Sequence, residues 1–188
     1  MKWIVAVALL LSNLAVLAQD REFKPFKVDF GSSYADPTSR FLTSAYGACI
    51  YLHPHYRLTD DWSLGFRFEF ALFKDGQEYL KNTDLILDFV NSFSPTIEYY
   101  LSRKNFRPFV GLGAGLFSET IRDMYGVFDT VSSNYKTINT LGGFSEVGFE
   151  WRNFRLSIEY NVFGSLNKNY AAFKLSTFIG GGRKKQKR

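Results

Sequence analysis

Apolar and polar positions alternate with a period of two along most of this chain, and between Ser94 and Phe117 two such runs are joined by a polar turn. In the first run Pro95, Ile97, Tyr99 and Leu101 share one parity; in the second Phe106, Pro108, Val110, Leu112, Ala114 and Leu116 share another. A two-residue turn at Lys104 and Asn105 pairs Arg103 with Phe106, which sets Leu101 against Pro108, Tyr99 against Val110 and Ile97 against Leu112. One face of this hairpin is wholly apolar. The other carries Thr96, Glu98, Tyr100 and Ser102 opposite Gly113, Gly111, Phe109 and Arg107. Strands that are apolar outward and polar inward are the pattern of a transmembrane barrel.

The same alternation predicts six more strands. Phe26 to Tyr34 is the first. Ala45 to Leu58 is the second, with Ala48, Ile50, Leu52, Pro54, Tyr56 and Leu58 outward and Cys49, Tyr51, His53, His55 and Arg57 inward. A tight turn at Thr59 to Asp61 leads into the third, Trp62 to Leu72, and sets Tyr56 against Leu64 and His53 against Arg67. Phe144 to Trp151 and Phe154 to Phe163 form a hairpin around Arg152 and Asn153, in which Glu150 faces Arg155 and Glu146 faces Glu159. Tyr170 to Gly180 is the last strand. Ala35 to Ser44, Lys74 to Phe93 and Ser118 to Thr140 are expected as longer connections, with part of the second extending strand four. The expected fold is all-β: an eight-stranded antiparallel up-and-down transmembrane β-barrel. Tight turns at Asp60, Lys104 and Arg152 would mark one end and longer loops the other. Trp62, Phe106, Trp151 and Phe154 flank the tight turns, where aromatic rings settle at a membrane boundary.

Composition adds an export signal and removes two function classes. In the first 18 residues Lys2 precedes an apolar run from Ile4 to Leu17 that ends in Val16-Leu17-Ala18, the form of a secretory signal peptide. Residues 19–182 are then the barrel domain and 183–188 a basic tail. Aromatics make up 18% of the 188 residues, yet the mean hydropathy is −0.14, as strict alternation requires. Cys49 is the single cysteine, so no intramolecular disulfide is available. The net charge of +5 does not point to nucleic acid, because Arg183, Lys184, Lys185, Lys187 and Arg188 lie in the last six residues. Without them and Lys2 the body is near −1.

The inward parity gathers Lys27, Arg57, Arg67, Arg107, Arg155 and Lys174 with Asp29, Glu69, Glu98, Glu146, Glu150 and Glu159. Charges in a narrow interior need partners, so a neutralising network is expected. The alternative is an acid/base pair formed by Glu146 and Glu159, although Lys174 is expected to stand opposite Glu159. His53 and His55, two apart on one inward face, have a spacing that can present imidazoles to a metal with Glu or Cys49 as further ligands. Packed, hydrogen-bonded lumen residues are the competing reading and the one adopted. A lipid-hydrolysing barrel needs a Ser and a His at the outer rim, whereas both histidines point inward. No phosphate loop or dinucleotide fingerprint is present, and Gly111, Gly113 and Gly115 read as relief for crowding. No catalytic, cofactor or metal residues are assigned, and the protein is not expected to be an enzyme.

The segments NFRPFVGLGAGLF, VGFEWRNFRLSIEYNVF and NYAAFKLSTFIGGG resemble the small eight-stranded outer-membrane barrel domains of Gram-negative bacteria, the OmpA-like and OmpX-like class. The resemblance covers nearly all of the mature chain. It implies a cell outer-membrane location, insertion by the barrel assembly machinery, contact with outer-membrane lipid, and a monomer. The function expected is non-enzymatic: envelope structure, or surface binding through loop 118–140, around an ion-paired, plugged lumen. The alternatives are an OmpW-like barrel transporting small hydrophobic molecules and a lipid-active barrel enzyme.

Overall fold

A computed structural model describes residues 22–37, 46–74, 87–125, 132–163 and 169–184. Eight antiparallel strands close into one barrel in chain order: β1 (Phe26–Pro37), β2 (Tyr46–Arg57), β3 (Trp62–Lys74), β4 (Leu87–Tyr100), β5 (Phe106–Tyr125), β6 (Ser132–Trp151), β7 (Phe154–Phe163) and β8 (Tyr170–Gly180). Each strand pairs with its sequence neighbours, and β1 closes the wall on β8 from Lys27↔Gly180 to Pro37↔Tyr170. The fold is thus an all-β, eight-stranded antiparallel up-and-down barrel, closed on itself. The expected signal peptide, residues 1–18, lies outside the described residues.

Period-two patterning fixes which way each strand faces, because a slip of one residue would turn its apolar set inward. In β2 burial alternates without interruption, with Ile50 and Leu52 exposed and Cys49, Tyr51, His53, His55 and Arg57 buried. The registers predicted for the hairpins hold at Tyr56↔Leu64, Ile97↔Leu112, Tyr99↔Val110, Trp151↔Phe154 and Glu150↔Arg155. Arg152 takes a φ of 56°, the left-handed conformation that a two-residue hairpin loop demands of its first residue. Ten to twelve residues at about 3.3 Å each, tilted by about 45°, give the height of the apolar band.

Four expectations need correction. The ladder of the β4–β5 hairpin ends at Tyr100↔Phe109, with one further bond from Leu101 N to Pro108 O at 2.8 Å, so residues 101–105 form a wider turn than the two-residue one predicted. Ala35, Asp36 and Pro37 belong to β1 and not to the loop that follows it. Ser118 to Thr140 is for the most part not a loop: β5 runs on to Tyr125, β6 begins at Ser132, and the two pair without a break from Phe106↔Trp151 to Tyr125↔Ser132. The outward positions turn polar there, and Ser118 bonds Asn139 at 2.7 Å while Thr120 and Thr137 stand 3.3 Å apart. Cross-strand hydroxyl and amide pairs replace apolar ones in this part of the hairpin, and the hydropathy signal disappears although the strand continues. Lastly, Glu159 lies opposite Ala172, and Lys174 pairs with Ser157.

Candidate functional site

Every one of the twelve inward charges named from the sequence is buried. Arg155 is the hub. Its guanidinium reaches Asp29 at 3.2 Å, Glu98 at 2.6 Å and Glu146 at 3.0 Å, and it lies 3.7 Å from the centroid of the Phe109 ring. Lys27 joins Asp29 at 3.1 Å and also pairs with Glu150. The Tyr100 hydroxyl sits 2.8 Å from both Glu98 and Glu150 and accepts from Lys27 at 3.2 Å. A second group forms around Arg67, which pairs with Glu159 and stacks 3.4 Å over the Phe144 ring. Lys174 binds Glu69 at 2.6 Å and, although two residues out of the predicted register, still reaches Glu159 at 2.9 Å. These six cations and six carboxylates share hydrogen bonds that satisfy charges costly alone, and Glu119, expected in a loop, is buried on β5 as a further interior carboxylate.

Glu146 and Glu159 do face each other across β6 and β7. Each is occupied, Glu146 by Arg155 and by the Ser157 hydroxyl at 2.6 Å, Glu159 by Arg67, Lys174 and the Asn161 amide at 2.6 Å. With these partners in place neither carboxyl is left free to act on a substrate. Asp29, His53 and His55 bring one ligand atom each within 4.8 Å of one another. One Asp29 oxygen, Oδ2, already accepts from His55 at 2.9 Å, Lys27 at 3.1 Å and Arg155 at 3.2 Å, while Oδ1 is buried without a hydrogen bond. His53 is taken by the Thr96 hydroxyl at 2.7 Å. Two fixed cations beside that carboxylate oppose a divalent ion, and Cys49 lies four residues along β2 in apolar surroundings. No lipid-facing Ser–His pair exists among the described residues, since both histidines are buried inside.

Two layers that the inward list did not reveal close the ends. Toward the longer connections the interior turns apolar: Ala35, Cys49, Ala71, Val90, Phe117, Phe163, Tyr170 and Ala172 form one buried cluster with Phe73 against it. Ring centroids run in a chain, 5.1 Å from Phe117 to Phe163, 6.0 Å on to Tyr170 and 5.2 Å on to Phe73. At the tight-turn end the stopper is Phe23, buried beneath Arg107 and Arg57, whose guanidinium carbons are 4.0 Å and 5.0 Å from its ring centroid. Asp60 holds this segment by accepting from Glu22 N at 3.0 Å and Phe23 N at 3.1 Å. Gly180 and Gly181, with φ of 82° and 61°, turn the chain across the mouth so that Arg183 bridges Phe23. The sequence signal for the apolar layer was present as small inward residues, Ala35, Cys49, Ala71 and Ala172, facing large ones. Nothing in the run from Arg21 to Pro25 marked Phe23 as a stopper.

No protein-family model and no curated protein sequence matches the chain. Solved structures do. Neisserial surface protein A is similar with a TM-score of 0.56 at 18% identity, covering 82% of this chain and 96% of that one. The outer membrane protein OprG of Pseudomonas aeruginosa is similar with a TM-score of 0.54 at 12% identity, covering 86% and 98%. The chain therefore has the fold of the small eight-stranded outer-membrane barrels.

Proposed function

We propose that this protein is a non-enzymatic outer-membrane barrel with a plugged lumen, acting from its surface through the β5–β6 hairpin. The observation that carries the reading is the filling of the interior by three successive layers: the Phe23 stopper, the ion-paired middle and the apolar layer beneath the long connections. An eight-stranded barrel is just wide enough to be filled by side chains, and this one uses them all along its axis. Function then falls to what projects. β5 and β6 are 20 residues each, about twice the length of β7, so their hairpin stands well clear of the apolar band. In this reading the tight turns face the periplasm, the barrel assembly machinery inserts the chain, and the protein works as a monomer in outer-membrane lipid.

A second reading has one observation in its favour. A groove of about 630 Å³ on the outer wall is lined by Ile50, Leu52, Phe68, Phe70, Phe93 and Leu116, with Asn91 and Ser118 at its polar end, and a small hydrophobic molecule could enter there from the side. The purified protein in planar bilayers is expected to give no stable conductance, and an Asn134→Cys, Cys49→Ser variant to react with an impermeant thiol reagent on intact cells. A large, reproducible open-channel current overturns the plugged lumen. Absence of the protein from outer-membrane fractions overturns the location.

A further inference from the structure

At the tight-turn end the exposed charges left outside ion pairs are, among the described residues, all basic. Lys24, Lys104, Arg152 and Lys184 are all exposed there, and no carboxylate among the described residues is ion-paired to any of them. The acids of this end are already engaged: Asp61 by Arg103, Glu22 by Arg183, and Asp60 by two backbone N–H groups. The sequence continues beyond Lys184 with Lys185, Lys187 and Arg188. The opposite end differs. Its connecting segments carry Arg40, Lys81 and Lys168 against Asp75, Glu78, Asp84 and Asp129, a mixture of signs.

Three of these cations, Lys24, Lys104 and Arg152, also stand at a defined depth, and Lys184 is tied to the same mouth by its backbone N–H, which donates to Glu22 O at 2.8 Å. Phe26, Trp62, Phe106, Trp151 and Phe154 are exposed outward rings at the tight-turn end. Lys24 and Lys104 each lie two residues from one of these rings, and Arg152 follows Trp151 directly. At about 3.3 Å per residue that puts them within ~7 Å of the rings, the thickness of one headgroup layer of a bilayer. The Arg152 guanidinium carbon is 5.3 Å from the Trp151 ring centroid, so this charge is held at the level of the anchor ring.

We propose that Lys24, Lys104, Arg152 and Lys184 form a basic collar that binds the phosphate-bearing headgroups of anionic phospholipids in the leaflet at the tight turns. The inference rests on the barrel lying in a bilayer, as proposed above. A cation at an anionic membrane surface strengthens binding by roughly fivefold. Four of them at one end give a strong preference over zwitterionic lipid, and added salt weakens it by screening.

Trp62 and Trp151 report on this collar directly. The full chain is reconstituted in vesicles that contain either brominated phosphatidylglycerol or brominated phosphatidylcholine, and quenching of tryptophan fluorescence is titrated. Phosphatidylglycerol is expected to bind at least tenfold more strongly at low salt, with the preference falling as sodium chloride is added. A variant combining Lys24→Gln, Lys104→Gln, Arg152→Asn and Lys184→Gln is expected to lose it, whereas Lys24→Arg, Lys104→Arg and Lys184→Arg together retain it. Equal quenching by the two lipids in a barrel that has inserted, judged by heat-modifiable gel mobility, overturns the collar alone. So does an unchanged preference in the fourfold neutral variant. Complete displacement by soluble glycerol phosphate would show a site for free phosphate and also overturns it. Failure to insert into either lipid overturns the bilayer reading with it.

Discussion

Replacing Arg155 by methionine is the sharpest test of the ion-paired interior. The side chain is 1% exposed and reaches four carboxylates, Glu150 at 3.7 Å besides the three named above, and they do not depend on it equally. Asp29 keeps Lys27 and His55, and Glu98 keeps the Tyr100 hydroxyl at 2.8 Å. Glu146 keeps only the Ser157 hydroxyl, because Arg155 is its one cation within 4.0 Å among the described residues. The variant takes one cation out of the buried network, and the uncompensated negative charge falls on Glu146. Removing one partner of a buried pair costs about 3–5 kcal/mol, whereas replacing the whole pair by neutral groups is close to neutral. Arg155→Met is therefore expected to lower unfolding stability by about 3–5 kcal/mol, and adding Glu146→Gln to recover about half or more of that loss. The measurement is reversible urea unfolding in lipid vesicles, followed by tryptophan fluorescence, over the full double-mutant cycle. A loss below about 1 kcal/mol for Arg155→Met would refute the reasoning. So would a Glu146→Gln change that adds its own cost to the double variant and recovers nothing.

Two further outcomes concern the tight-turn end. Phe23→Ala removes the stopper from beneath Arg107 and Arg57 and is expected to cost about 2–3 kcal/mol, below the core range for Phe→Ala because one side of the ring is the barrel mouth. It should leave bilayer recordings silent, since the apolar layer still closes the other end. The carboxyl of Asp61 is held below its ordinary value by the hydrogen bond and charge of Arg103, so its contribution to stability is present above the ordinary aspartate range and lost as pH falls through the lowered value. Asp61→Asn is accordingly expected to lower the unfolding midpoint slightly at pH 7, by an amount that added salt reduces, and to match the parent chain once both are acidified below that range.

Much of the wall was legible because a two-sided wall writes itself into the sequence. Trp151, Phe149 and Val147 alternate with Glu150, Gly148 and Glu146, and one register satisfies both faces at once. The legible part ends where one face stops differing from the other. Beyond Phe117 the outward residues are Ser118 and Thr120 and the inward one is Glu119, so polarity no longer separates the faces and the alternation that marked β5 disappears while its hydrogen-bond ladder continues. The ion-paired residues could be named because lysine, arginine and glutamate at inward positions have few alternatives to pairing. Their partners could not all be named. Lys174 meets Glu159 diagonally, since a long side chain reaches across a register difference that backbone pairing does not reveal. Phe23 escaped notice because its role depends on Asp60, Arg107 and Arg183, which come together only when the barrel closes.

The apolar layer carries its own probe. Cys49 is 1% exposed, lies opposite Ala71 on β3 and Ser33 on β1, and belongs to the cluster whose rings, Phe73, Tyr170, Phe163 and Phe117, cross the barrel toward the long connections. A charged reagent has to shed water to pass the rings. From the other side it would have to cross the ion-paired layer. The native barrel is therefore expected to remain unlabelled by a sulfonated maleimide over a time in which the urea-unfolded chain reacts to completion. Phe163→Ala breaks the ring chain at its middle, between the 5.1 Å and 6.0 Å contacts, and should raise the native labelling rate at least tenfold while the barrel stays folded. If the unmodified native barrel labels within tenfold of the unfolded rate, water reaches Cys49 and the apolar layer is not a seal. If Phe163→Ala leaves the rate unchanged in a folded barrel, the rings are not what excludes the reagent, and closure must then come from the ion-paired layer below.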